Sequence, residues 1–222
     1  MSLSLFRLDA SIRTEGSASR EIADIVEASW RNHHPDAAVT RRHVGTDPIP
    51  AGAWPAAVTG SWTPAEQRTP AQREAAALAT TLVDELAEAD ALLFAVPLYN
   101  FGVSQHFKSW VDLVITEPRM APGKEPVIAG KPAVLVVVRG GSYAAGTPRE
   151  GWDHATPWIL RILEDTWGLD VEVVEREFTL AGVNPALDDF IELAGKQRVE
   201  AEEVAHEHGR RLALGRTAAN AA

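Results

Sequence analysis

A chain of 222 residues, 45% apolar and 23% charged, has an ordinary globular composition and enough length to bury a sizeable core. Its 31 acidic and 21 basic side chains leave a net charge of −10, which argues against nucleic-acid binding, where a basic face must displace phosphate counterions. There is no cysteine, so disulfides, thiolate nucleophiles and cysteine-held metal or iron–sulfur centres are excluded, and any redox chemistry must come from a bound cofactor.

The opening MSLSLFRLDAS has no basic start and only a short apolar run. It predicts neither a signal segment nor a membrane span, and a cytoplasmic protein is expected. Residues 3–8 are apolar and bounded by Asp9-Ala10-Ser11, as in a first strand. From Ser17 the pattern turns helical, with Ile22, Ile25, Val26 and Trp30 at three- and four-residue steps until Pro35. Residues 38–44 alternate and include Arg41 and Arg42, which suits a strand near a sheet edge with the arginines on a solvated face. The Pro/Gly/Trp-rich stretch 46–64 shows no clear period, is too long for an ordinary connection and is expected to pack across a surface rather than dangle.

Residues 69–89 read as a helix and 92–96 as a central, doubly covered strand. Residues 103–115 are helical and 118–130 a turn-rich loop. VLVVV at 134–138 is the strongest strand, followed by a helix over 152–167, a strand over 171–178 and a long charged helix over 186–214 that precedes alanine-rich residues. Strands alternating with helices predict right-handed βαβ units, hence one doubly wound parallel α/β domain spanning the chain. Such sheets bind ligands beyond the carboxyl ends of their strands, at the switch in strand order.

Three clusters lie at such strand ends. In DASIRTEGSASRE, Ser11, Ser17 and Ser19 precede a helix start, where hydroxyls and free N–H groups make an anion site; the simpler alternative is that Ser17 only caps the helix. In PLYNFG, Pro97 ends the ladder, and Tyr99, Asn100 and Phe101 offer flat surfaces and amides to a planar heterocycle, unless the rings merely cap the core. In VRGGSY, paired glycines let backbone N–H groups approach a ligand, with Arg139 and Tyr143 as further donors; a plain Gly-Gly turn is the alternative. Their occurrence at successive strand ends favours a shared ligand. The remaining singular residues read as structural. His206 and His208 do not share a helix face as a metal pair would, the Asp153-His154 pair has no serine elbow to serve, and the tryptophans are mostly packing.

These segments resemble the FMN-dependent NADH:azoreductase and NAD(P)H quinone reductase family, whose fold is flavodoxin-like. The likeness spans nearly the whole chain and rests on Ser11 with Ser17-Ala18-Ser19, DPIP at 47–50, PLYNF at 97–101, KSWVD at 108–112, RGG at 139–141 and TPW at 156–158. It implies a five-stranded parallel sheet with helices on both faces. Ser11, Ser17, Ala18 and Ser19 would hold the FMN phosphate. Leu98, Tyr99, Asn100 and Phe101 would line the isoalloxazine ring, and Val138, Arg139, Gly140 and Gly141 would contact its pyrimidine side. Tyr143 would donate a hydrogen bond to flavin or substrate. The resemblance further implies NADH or NADPH as hydride donor, a quinone or azo compound as acceptor in a ping-pong cycle, and a homodimer whose partner chain completes the pocket. An electron-carrier flavoprotein and a non-catalytic flavin-binding module are the other readings of the same segments. The loop TEPRMAPGKEPVIAG carries no aromatic residue where several relatives have one, so the acceptor half of the site departs from the family.

Overall fold

Two uninterrupted apolar runs can be accommodated only by strands covered on both faces, and they form the centre of the sheet. In the computed structural model, which describes residues 3–215, β3 (Ala91–Pro97) and β4 (Pro132–Val138) are buried along almost their whole length. β1 (Ser4–Asp9) pairs with β3, β2 (Ala38–Arg42) lies outside β1, and β5 (Asp170–Arg176) lies outside β4. All pairings are parallel, in the order β2-β1-β3-β4-β5. This is the five-stranded arrangement expected of a flavodoxin-like fold, with its switch point between β1 and β3. The alanine-rich end, 216–222, lies outside the described residues.

Alternate residues of the strands feed two cores. Phe6, Leu8, Phe94 and Leu135 face α3 (Pro70–Glu88) and α4 (Gln105–Val114), where Phe6 stacks on Trp110 with centroids 6.3 Å apart. Leu5, Leu93, Val134 and Val136 face α1 (Ala18–Arg31) and α6 (Ile191–Leu214). Each large apolar side chain buried this way contributes about 1.5–3 kcal/mol. A Cβ at Gly209 would lie 2.7 Å from Ser29 Cβ, so α6 reaches α1 this closely only with glycine there. α3 starts where its sequence provides a reciprocal cap: Thr69 Oγ1 accepts from Gln72 N at 3.2 Å, and Gln72 Oε1 accepts from Thr69 N at 2.9 Å.

The structure corrects four expectations. Residues 46–64, where no period predicts a helix, contain one, α2 (Ala53–Ser61), packed against α3. Its buried stripe is made of Ala53, Ala57 and Gly60, too small to register as an apolar period. The helix expected from 152 begins only at Thr156 (α5, Thr156–Leu160), because Asp153 Oδ1 accepts from the N–H groups of Ala155 and Thr156, both at 2.9 Å, and fixes the start there. It continues as a wider turn over Arg161–Thr166, and Trp167 N bonds Ile162 O at 2.9 Å. The final helix is broken at its start, where Pro185–Phe190 is a 3₁₀ turn preceding α6. Arg41 and Arg42 are not simply solvated, for they pair with Glu27 and Glu85 on the helices covering the sheet edge.

An interior polar network accompanies this edge. Arg7, in β1, is buried, and donates to Asp9 at 3.2 Å, Asp24 at 2.6 Å and Glu27 at 3.1 Å. Burial raises the Glu27 pKa, but hydrogen bonds from Arg31 and Arg7 and the charge of Arg41 outweigh it and hold the carboxyl below its usual range. Among the described residues no helix is long and apolar enough to cross a membrane.

Candidate functional site

The three strand-end segments meet at the carboxyl edge of the sheet. After β1, Ser17 caps α1 by accepting from Arg20 N at 3.4 Å, so the simple reading of this serine is correct as far as it goes. Its Oγ also lies 3.2 Å from Ser19 Oγ, and Ser11, Ser17 and Ser19 are all buried around the helix start. Ala18 is the first helical residue. A 14-residue helix presents unsatisfied first-turn N–H groups and the positive end of its dipole here. Gly45, just beyond β2, fixes the loop from below. A Cβ there would stand 2.8 Å from Ala10 O and nearer still to the Ser11 carbonyl.

After β3, Leu98 N still bonds Val138 O at 2.9 Å, and the chain then reverses in a tight turn. Tyr99 N bonds Gly102 O at 3.2 Å and Gly102 N bonds Tyr99 O at 3.0 Å. The corner residues, Asn100 and Phe101, have φ of 48° and 68°. Two successive left-handed residues define a type I′ turn, which asparagine accepts readily and phenylalanine does not. Such a residue costs on the order of 1–3 kcal/mol and persists where the surroundings enforce it. Here they do: Phe101 O accepts from His154 N at 2.9 Å, and the ring packs edge-on against Tyr143 at 6.0 Å and Trp152 at 5.2 Å. The Asn100 and Phe101 N–H groups make no hydrogen bond within the described chain. The Tyr99 hydroxyl ties this turn to the serine loop, lying 3.4 Å from Ser11 Oγ and accepting from Ile12 N at 3.2 Å.

After β4, the carbonyls are held from behind. Those of Arg139, Gly140 and Gly141 accept from Thr179 N at 3.1 Å, Leu180 N at 3.2 Å and Phe178 N at 3.3 Å. The N–H groups of Gly140 and Gly141 have no partner within the described chain. A Cβ on Gly140 would meet Leu180 Cδ1 at 2.7 Å, whereas one on Gly141 would meet nothing within 4 Å. The Tyr143 hydroxyl is likewise unpartnered, while its N–H donates to Glu177 Oε1 at 3.2 Å.

Leu98, Tyr99, Asn100, Phe101, Gly140, Gly141 and Tyr143 together line a cavity of about 810 Å³, within the usual range for ligand pockets. Six expected residues do not line it: Ser11, Ser17, Ala18 and Ser19 stand outside it around the start of α1, and Val138 and Arg139 turn elsewhere. Val138 packs into the core facing α1 and α6. Arg139 turns away into a carboxylate cluster, bonding Asp153 at 2.9 Å, Glu175 at 2.7 Å and Thr156 Oγ1 at 3.0 Å, with Glu177 at 3.4 Å. Burial works against its charge, but the hydrogen bond to Glu175 and the charges of Glu175, Asp153 and Glu177 raise its pKa further. Asp153 responds in kind. Burial raises its pKa, and hydrogen bonds from Thr156 with the charge of Arg139 bring it below the ordinary value.

Other lining residues escaped the sequence reading. Phe178, Leu180, Leu187 and Phe190 form a fourth wall after β5, with Phe178 and Phe190 stacked at 4.8 Å. The strand-end rule applies to this loop as well, but it carries no glycine pair or amide-rich run to mark it. Trp152 is half exposed and packs on Phe101 instead of filling the core.

A family model described as flavodoxin-like fold matches residues 4–190. An FMN-dependent NADH:quinone oxidoreductase of Frankia alni is 44% identical over 200 residues, covering 89% of this chain and 94% of its own. Two solved structures share the fold. The azoreductase of Bacillus anthracis str. Sterne superposes with a TM-score of 0.76 at 18% identity, over 95% of this chain and 100% of its own. An FMN-dependent NADH-azoreductase of Bacillus anthracis str. Ames Ancestor, in complex with FMN, gives 0.71 at 14% identity over 93% and 99%.

Proposed function

From the premise that the chain belongs to the flavodoxin-like-fold family of FMN-dependent NADH:quinone oxidoreductases, we propose that it uses FMN to pass two electrons from NADH or NADPH to a quinone or an aromatic azo compound. The observation that carries this reading is the convergence of unpartnered backbone donors on one cavity, from Asn100, Phe101, Gly140 and Gly141. Outside that cavity, tied to the same turn through the Tyr99 hydroxyl, stands a buried serine cradle at a helix start. A flat ring with polar edges and a phosphate tail matches both halves, and FMN is such a molecule.

Bound FMN supplies hydride chemistry, and the protein contributes orientation and charge. Ser11, Ser17 and Ser19 offer hydroxyls to the phosphate, and the N–H groups of Ala18 and Ser19 add the helix dipole. Leu98 and Tyr99 provide the surface along one face of the ring, and the Asn100 and Phe101 amides meet its polar edge. Gly140 and Gly141 donate N–H groups to the pyrimidine side, where preorganised donors favour negative charge. Val138 and Arg139 serve that edge through the backbone: Val138 O holds Leu98, and Arg139 anchors the loop. Tyr143 places a hydroxyl at the substrate side. A single cavity serving donor and acceptor in turn makes the cycle ping-pong.

We also read residues 1–222 as one FMN-binding unit that works as a homodimer in the cytoplasm, the compartment that supplies NADH. The apolar rim formed by half-exposed Trp152 and Phe190 supports a partner chain closing the pocket. Purified protein is expected to bind one FMN per chain, to oxidise NADH when menadione is present, and to elute with the mass of a dimer. Protein that binds FMN and accepts electrons only from a separate reductase would instead mark a carrier, and protein without affinity for FMN would refute the proposal.

A further inference from the structure

The cavity wall has a charge pattern opposite to that of the molecule. Of the eighteen residues lining it, one is ionic, and it is Arg149. In a chain with 31 acidic and 21 basic side chains, a wall free of carboxylates and carrying one cation is a local reversal of sign. The guanidinium of Arg149 sits 5.6 Å from the centroid of the Phe101 ring, a cation–π distance. It has no ion pair or side-chain hydrogen bond among the described residues.

Its surroundings keep it so. The adjacent acid, Glu150, is turned away to accept from Gly146 N at 2.8 Å, and Glu177 is engaged by Arg139 and by Tyr143 N. The loop is set by successive turns, with Glu150 N on Thr147 O at 3.1 Å and Trp152 N on Arg149 O at 3.1 Å. Arg149 and Trp152 therefore both pack against Phe101, and the fork of guanidinium donors stays open for an anion.

Taking the proposed oxidoreductase reading as its basis, we infer that Arg149 is a specificity-determining residue that selects aromatic acceptors bearing a carboxylate or sulfonate. The distance favours the acceptor over the donor. An acid group bonded directly to a ring stacked beside Phe101 lies within reach of a cation one ring away. A ribose separates the nicotinamide of NADH from its pyrophosphate and carries that charge farther off.

The test uses the FMN-loaded protein and its Arg149→Gln and Arg149→Lys variants. Calorimetric binding of naphthalene-2-sulfonate to the oxidised protein gives a readout without turnover. Steady-state KM is measured for a sulfonated naphthoquinone, for neutral menadione and for NADH. Arg149→Gln is expected to weaken naphthalene-2-sulfonate and to raise the sulfonated quinone KM about five- to tenfold, the range between an exposed ion pair and a charge-assisted hydrogen bond. Menadione and NADH should stay within about twofold, the change expected where no charge pair is lost, and Arg149→Lys should recover part of the loss. Equal changes for both quinones, unchanged sulfonate binding, or a rise confined to the NADH KM would overturn the inference. Absence of NADH oxidation in the unmodified protein would sink the function itself, while the calorimetric comparison would still decide the role of Arg149.

Discussion

Gly45 and Gly141 separate the architecture of the site from its contact with a ligand. Neither has a positive φ, so alanine is conformationally acceptable at both, and space alone decides. At Gly45 the added methyl would sit 2.8 Å from Ala10 O, where ordinary contact begins at 3.4 Å, and it overlaps the Ser11 carbonyl more severely. Those are backbone atoms of the serine loop and cannot rotate away. Gly45→Ala should therefore cost about 1–3 kcal/mol, the usual penalty of overpacking, or displace Ser11 and the phosphate cradle with it. Gly141→Ala meets nothing within 4 Å and should leave stability within about 0.5 kcal/mol. Its methyl would stand beside an N–H that the proposed ring edge must approach closely, so FMN affinity should fall at least tenfold. Urea unfolding of the apoproteins and fluorescence titration of FMN measure the two quantities. Equal FMN affinity for Gly141→Ala and the parent, or an unperturbed Gly45→Ala in both assays, would refute this division of roles.

Arg139 and Glu27 probe the two ionic networks. Replacing Arg139 by Met leaves Asp153 and Glu177 mostly buried without their cation. Breaking such a cluster costs about 3–5 kcal/mol, with the lower end favoured because Glu175 is half exposed; a change below about 1 kcal/mol in urea unfolding would show that water already screens the cluster. The pH dependence has a defined sign. Glu27 and Asp153 both have folded pKa values below their unfolded ones, so the unfolded chain binds more protons in the window between them. Their stabilisation is complete above the unfolded values, about pH 4–5, and is lost as pH falls through the depressed folded values. Glu27→Gln should be less stable than the parent at pH 7 and should lose less on acidification to pH 3, and parallel curves in urea midpoint against pH would contradict the assignment.

What the sequence disclosed depended on the range of the interaction involved. β3 and β4 were legible because burial on both faces demands an unbroken apolar run, and Ser17 because a cap acts on the residues that follow it. The Tyr99-to-Phe101 segment could be seen as exceptional, since aromatic and amide side chains directly after a buried strand have no purely local use. α2 escaped because alanine and glycine make a helix face that no hydrophobic period betrays. The orientation of Arg139 could not be read, because Asp153, Glu175 and Glu177 are brought to it only when α5 and β5 dock beside β4. Trp152 could not be told from the packing tryptophans for the same reason: its contact with Phe101 bridges 51 residues of sequence (152 − 101) and exists only in the folded chain.

That long-range support also explains how the turn at the centre of the cavity holds its shape. Phe101 stays left-handed although glycine stands next to it in the sequence, which would have taken the strained corner without cost. A register shift would relieve the backbone, but it would release the ring from Tyr143 and Trp152 and the carbonyl from His154 N. Two edge-on aromatic contacts at about 0.5–1.5 kcal/mol each and a hydrogen bond of about 0.5–1.5 kcal/mol are enough to offset a cost of 1–3 kcal/mol. The consequence is directional: the same contacts that enforce the turn keep the Asn100 and Phe101 amides free of partners among the described residues and leave the Phe101 ring in contact with both Trp152 and Arg149. On the proposed reading, the loop at 142–152 would both stabilise the cofactor edge and form a wall beside the acceptor. Selection on acceptor chemistry in that loop would reach the flavin contacts through Phe101.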